Sequence, residues 1–403
     1  MPFKLPALVL TLASLTSPVA ATEYGQKHDP DFARFCEFVQ QDYAYWPRRP
    51  QLDWPAACAQ HRARALQAGS RGAWIAHLEA ALDELADAHA HLSTNTPVST
   101  RLIPSQSDLR ARWRGEVAEL VAVRQPSAAW AAGLRPGDRV LSVKGQALRA
   151  AARARLPRGE GDDLAWDWAL QQVLAGRHEQ KEMSLQRQTP AGSQTLIWRP
   201  HQPQAASLLS HGREGDVAWV RIHNSLGQNG LIEAFDQALA ELGPFGALVL
   251  DLRDTPSGGN SHVARGLMGR LVTAPRPYQQ HEAVAEGRGG VRRVWTEWVL
   301  PRQPLPERPV LVLVGPWTGS MGEGLAIGLN AARGAPVLGQ PMAGLLGALG
   351  EERLPLSGIT VRIPTETLAH VDGRPREAFV PEPLQGDAEQ VWQQALTRAR
   401  LLR

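Results

Sequence analysis

The chain reads as an α/β protein, and three observations carry that reading. Strand-like runs alternate with helical ones through residues 215 to 403. The core strands are continuous apolar stretches such as GALVLDLR and VLVLV, as expected of strands buried on both faces. Residues 28 to 95, by contrast, show only helical spacing. Together they predict a largely parallel sheet covered by helices, preceded by a helical module. With 403 residues the chain is long enough for two or three domains with real cores.

The N-terminus reads as a targeting segment. Lys4 precedes the short apolar run LPALVLTLASLT, and Val19-Ala20-Ala21 is a small-residue cleavage site. The run is too short for an ordinary membrane span. Residues 1–21 are therefore expected to be a signal peptide, and the mature protein to be exported, periplasmic or secreted, with no membrane span. Residues 22–100 follow as the helical module, carried by FARFCEFVQQDYAYW and GAWIAHLEAALDELADAHAHL. Its two cysteines, Cys36 and Cys58, either pair in an oxidising compartment or stay as two buried thiols; their spacing does not decide.

Residues 101–205 alternate short strands with turns: ELVAVRQ, a short helix at SAAWAAGL, RVLSV, the helical LAWDWALQQVLAG, then EMSLQRQ and SQTLIWRP. PHQPQAASLLSHGREG reads as the linker out of this β-rich unit. Residues 206–403 form the α/β unit, from strand VAWVRIH and helix LIEAFDQALAELG to the C-terminal helix AEQVWQQALTRAR.

Charge excludes one class of function. The net charge of +3 is too small to imply nucleic acid, and nearly all positive charge is arginine, since the lysines are Lys4, Lys27, Lys144 and Lys181. No GxGxxG or Walker spacing is present, nor any HExxH or paired-cysteine pattern, so neither nucleotide nor metal is called for and no cofactor is expected.

The chemistry points to Ser320. Val310 to Val314 is a buried strand, Gly315, Pro316 and Gly319 break it, and a helix follows. A serine at that junction sits among converging N–H groups, placed for nucleophilic attack with donors ready for the oxyanion. It is equally placed to be an N-cap. The stretch is not the G-x-S-x-G elbow, because Thr318 stands two residues before the serine. A base must come from the histidines. His89 and His91 lie where the first helical module breaks, with His262 and His370 as fallbacks. In DLRDTPSGGN, the turn at Gly258 and Gly259 lets the backbone approach a ligand, and Glu377 follows the Asp372-Gly373 turn.

In chain order these segments resemble the carboxyl-terminal processing (tail-specific) protease family and its tricorn-type relatives. LADAHAHL is similar to the family's L-x-D-G-H-T, with Ala88 for Gly and Ala90 for Thr. SAAWAAGLRPGDRVLSVKGQAL resembles its inserted PDZ-like domain. GALVLDLRDTPSGGN resembles D-L-R-x-N-x-G-G, with Asp254-Thr255 at x-Asn. TGSMGEGLAIGL resembles T-x-S-x-x-E, and DGRPREAFVP resembles D-G-x-P-x-E-G-x-x-P. The resemblance implies a crotonase/ClpP-like catalytic domain and a serine endopeptidase with Ser320 as nucleophile, His89 as base and Glu377 as triad carboxylate. Oxyanion donors would come from Gly258, Gly259 and Met321. The family's Ser–Lys branch carries lysine in F-G-K-G; here the stretch is MAGLLGAL, with Leu345 at that position, so the Ser–His–Glu branch is implied. The partner implied is a protein or peptide recognised by its C-terminus. An esterase using the same serine, or a non-catalytic peptide-binding protein on this scaffold, is the alternative.

Overall fold

A computed structural model describes residues 23–157, 162–200 and 207–402. The expected signal peptide, and the residues 201–206 that separate the two later units, lie outside the described residues.

The α/β unit is built on a six-stranded sheet. Its spatial order is Glu382–Pro383, Val337–Gly339, Val310–Val314, Ala247–Asp251, Val217–Ile222 and Leu209–Glu214. All neighbours are parallel except the last pair. Ala247–Asp251 and Val310–Val314 are buried at every residue, which explains their unbroken apolar sequence. Alternate residues feed two cores. Leu248, Leu250, Val312 and Val314 face the helices Gly230–Leu242, Ser261–Met268 and Met321–Arg333. Val249, Leu311 and Leu313 face the C-terminal helix Ala388–Leu401. The strand Leu209–Glu214 corrects the linker reading of PHQPQAASLLSHGREG: its second half pairs in register with Val217–Ile222 at the sheet edge.

A second sheet runs His91–Leu92, Thr360–Ala369, Arg276–Ala283, Arg293–Val299, with Ala348–Arg353 also paired to Thr360–Ala369. The sequence reading passed over its hairpin Arg276–Val299, because polar residues such as Gln279, Gln280 and His281 break the apolar pattern. The N-terminal helices pack on this sheet. Phe32, Phe35, Trp74 and Leu78 share one core with Leu354, Ile359, Val361 and Ile363, so the helical module and the C-terminal third are one hydrophobic body. Cys36 and Cys58 are joined as a disulfide, with Cα atoms 6.1 Å apart, tying helix Asp29–Asp42 to helix Trp54–Ala65.

The β-rich unit has its own sheet, ordered Leu109–Arg114, Val117–Val123, Arg139–Val143, Met183–Thr189, Gly192–Trp198. Its own core includes Leu120, Val140, Leu170 and Leu185.

One helical expectation is corrected. The helix through GAWIAHLEAALDELADAHAHL ends at Leu82, passes through one tight turn, Asp83–Leu85, and is stopped by Ala86 in the left-handed region (φ 49°). His89 therefore stands on a loop, and His91–Leu92 is a strand.

Replacing both Cys36 and Cys58 by alanine should lower stability by about 3 kcal/mol, the loop-closure value for a separation of this size. Denaturant unfolding of the full chain measures this; an unchanged midpoint would refute it.

Candidate active site

The junction between strand Val310–Val314 and helix Met321–Arg333 holds Ser320 at φ 52°, ψ −115°. A serine in that region costs on the order of 1–3 kcal/mol and persists only where its surroundings impose it. The surroundings do so with small residues. A Cβ on Gly319 would lie 2.6 Å from the Pro256 carbonyl oxygen, and one on Gly322 would lie 2.6 Å from Thr255 Oγ1. The chain thus makes a sharp strand-to-helix turn with glycines one before and two after the serine. Thr318 forms a bridge with Thr255, locking this turn to DTPSGG.

Glu323 holds the turn from inside the helix. Its buried carboxylate accepts hydrogen bonds from the N–H groups of Ser320 (2.8 Å), Gly344 (2.9 Å) and Leu345 (3.2 Å). Burial pushes its pKa up, while Arg376 and these three donors pull it down. One side chain therefore fastens the serine to loop 343–347. Ala343 N–H adds a bond to the Thr318 carbonyl (3.0 Å).

The same loop seats His89. The histidine is buried, and its Nδ1 lies 2.5 Å from the Leu346 carbonyl oxygen. A carbonyl only accepts, so Nδ1 carries the proton and Nε2 keeps its lone pair. Burial pushes the imidazole pKa down to about 3, and the nearby Arg376 guanidinium adds to the shift. Beneath the ring, Asp87 accepts from His89 N–H (2.8 Å) and from Tyr43 Oη (3.0 Å); burial raises its carboxyl to about 6.

The remaining predicted residues fall as follows. Gly258 is at φ +63°, and a Cβ there would lie 2.4 Å from Ser320 Cβ and 2.7 Å from Met321 N, so only glycine fits against the serine. Its N–H is directed to the Thr255 carbonyl at 3.3 Å. The N–H groups of Gly259 and Met321 have no partner among the described residues. Glu377 is largely buried. One of its oxygens is 4.0 Å from Arg48, the other has no hydrogen-bond partner, and neither bonds to His89; the Leu346 carbonyl takes that place. His262 is exposed, and His370 is held in its own hairpin, where its Nδ1 lies 3.0 Å from Asp372 Oδ1; neither bonds to Ser320. Leu345, at the lysine position of the other branch, is buried.

Sequence reasoning missed Arg376 and Asp87. Arg376 Nη2 donates to the carbonyls of Leu345 (2.7 Å) and Gly347 (2.9 Å), clamping the loop around Leu346. Nothing in GRPREAF marks that arginine. Asp87, two residues before the histidine, was signalled only by its place in the quoted motif. Among the described residues no group of His, Cys, Asp or Glu could hold a metal ion, and no helix is long and apolar enough to cross a membrane.

Gly258→Ala, whose Cβ would lie 2.4 Å from Ser320 Cβ, should displace the serine and cost roughly 10²-fold in kcat/KM, the scale of a misplaced reacting group, while leaving the thermal melt cooperative. Activity within a factor of two of the parent would refute this role for the turn.

Comparison with known proteins bears on the fold that holds this site. Residues 216–380 match the profile of peptidase family S41. That span holds Gly258, Ser320 and Glu377; His89 precedes it. No curated protein sequence matches the chain. Mature CPAF complexed with lactacystin superposes with a TM-score of 0.61 at 15% identity, covering 94% of this chain and 98% of that one. The photosystem II D1 C-terminal processing protease gives 0.58 at 16%, over 92% and 96%. A lipoprotein from Streptococcus agalactiae gives 0.50 at 11%, over 98% and 100%. At such identities the likeness is one of fold. Residues 216–380 are thus similar to peptidase family S41, and they sit in a fold that mature CPAF and a C-terminal processing protease share along nearly the whole chain.

Proposed function

We propose that the protein is an exported serine endopeptidase that cleaves peptide bonds through Ser320, His89 and Glu377. The observation that carries this reading is the shared loop 343–347. It is bonded through Glu323 to the strained serine turn and through Leu346 to a neutral, Nδ1-protonated histidine. In the proposed sequence, Ser320 Oγ attacks the scissile carbonyl and its proton passes to His89 Nε2. The oxyanion is received by the unpartnered N–H groups of Met321 and Gly259, with Gly258 keeping the backbone close. The amine then leaves with the proton from His89, and water releases the acyl group by the reverse path. Glu377 is assigned the triad carboxylate on its place in DGRPREAFVP, while the Leu346 carbonyl holds the Nδ1 proton in this structure.

A Ser–Lys mechanism is opposed by the apolar Leu345 and by the absence of any lysine after Lys181. The Cys36–Cys58 disulfide supports export to an oxidising compartment. The sheet of residues 109–198 is proposed to be a PDZ-like unit that presents substrate tails by strand addition. A second reading, a peptide-binding protein without turnover, is favoured by one observation: no hydrogen bond links Ser320, His89 and Glu377 to one another.

Labelling with a fluorophosphonate probe separates the two. The enzyme reading predicts labelling of the parent protein, none in Ser320→Ala, and a fall of about 10⁴-fold in peptide hydrolysis for that variant. Absence of labelling in the folded parent would overturn it.

Because the folded-state imidazole is shifted from 6.5 down to about 3, His89 is already the neutral base throughout the neutral range. Log(kcat/KM) should therefore stay level as pH falls from 8 through 6.5, losing its acid limb only below about pH 5. A half-maximal point near 6.5 that is abolished in His89→Gln would contradict this.

A further inference from the structure

The strand Leu109–Arg114 is the edge of its sheet: it pairs with Val117–Val123 on one side only. Asp108 points its carbonyl inward, to Arg124 N–H (2.8 Å), so Leu109 and Ala111 present their backbone groups outward. An edge of this kind is a template for another extended chain. Here it is already occupied by side chains. Ser107 Oγ donates to the Leu109 carbonyl (2.9 Å) and lies 3.4 Å from its N–H. Gln171, on helix Asp163–Ala175, places its amide against Ala111: Nε2 donates to the carbonyl (2.8 Å), and Ala111 N–H points at Oε1 (3.5 Å). That carboxamide makes the two bonds that the peptide group of an added strand would make. The second of them is long, at the limit of a hydrogen bond. The edge also faces the serine side of the molecule. Arg110, Asp167 and Gln171 line one wall of a cleft whose other wall is Gly344 and Leu345, and Arg110 Nη2 donates to the Ala343 carbonyl (3.0 Å).

We propose that Gln171 is an intramolecular latch on a peptide-docking edge. It imitates a bound strand, and an extended polypeptide backbone adds to Ala111 only by displacing it. The assignment rests on the peptidase reading for what enters the cleft, but the latch is tested by binding alone. The ligand class is an extended peptide recognised through its backbone.

The test uses the full chain carrying Ser320→Ala, so that nothing turns over, and a fluorescein-labelled octapeptide of alternating threonine and valine, read by fluorescence polarisation. Gln171→Ala should bind this peptide about tenfold more tightly, the equivalent of one to two net hydrogen bonds no longer in competition. Gln171→Glu keeps the bond from Ala111 N–H but repels the carbonyl, and should tighten binding by a smaller factor. If Gln171→Ala does not melt cooperatively, Gln171→Glu decides alone. The same peptide N-methylated at alternate residues should not bind. Equal or weaker binding by the variants, or equal binding of the methylated peptide, overturns the latch. Either outcome leaves hydrolysis at Ser320 to be judged separately by the fluorophosphonate labelling.

Discussion

One buried carboxylate organises the site. Glu323 receives three backbone N–H groups, one from the serine turn and two from loop 343–347. Few side chains other than an ionised carboxylate could satisfy three convergent donors from two segments, since it accepts at two oxygens and donates nothing. Its desolvation, which raises its pKa on balance, is partly countered by Arg376 and those donors. The unusual backbone of Ser320 follows from this arrangement, because its N–H is drawn inward to the carboxylate while its Cβ is pressed against Gly258. The histidine's environment follows too, because the carbonyl that sets its tautomer belongs to the loop Glu323 anchors.

Arg376 completes the arrangement from the opposite side. Glu323 takes the N–H groups of residues 344 and 345, and Arg376 takes the carbonyls of 345 and 347. The loop is thus gripped on its donors by an acidic side chain and on its acceptors by a basic one. The carbonyl of Leu346 is left for the imidazole. Such a grip costs no rearrangement when charge develops nearby, which is what electrostatic preorganisation requires.

Much of this was legible in the sequence, for identifiable reasons. Continuous apolar strands such as VLVLV, and glycines clustered at their ends, signal local physics that no distant contact reverses. The largely parallel sheet, and the position of Ser320 at a strand-to-helix turn, followed from them. The hairpin Arg276–Val299 was not legible. His281 is buried between Glu366 (2.7 Å) and the stacked ring of Trp295, so its polar strand is stabilised by partners far along the chain. The break that carries His89 was legible at DAHAH, but the α-helix stops sooner, at Leu82, because helical spacing continues past that residue and the left-handed Ala86 is a conformation alanine rarely signals. The role of Arg376 was invisible for the same reason, because its acceptors lie about thirty residues away. The bond expected of Glu377 is made instead by the Leu346 carbonyl, and main-chain atoms leave no trace in composition.

The core uniting Phe32 and Trp74 with Ile359 and Val361 has a consequence for biogenesis. His89 arrives within the first quarter of the chain, and the strands that enclose its module, Ala348–Arg353 and Thr360–Ala369, arrive in about the last seventh. A chain emerging from a ribosome therefore carries His89 on an unfinished, apolar-surfaced fragment until synthesis is nearly complete. The seat of His89 is thus completed only when the C-terminal strands have joined the core begun by the N-terminal helices.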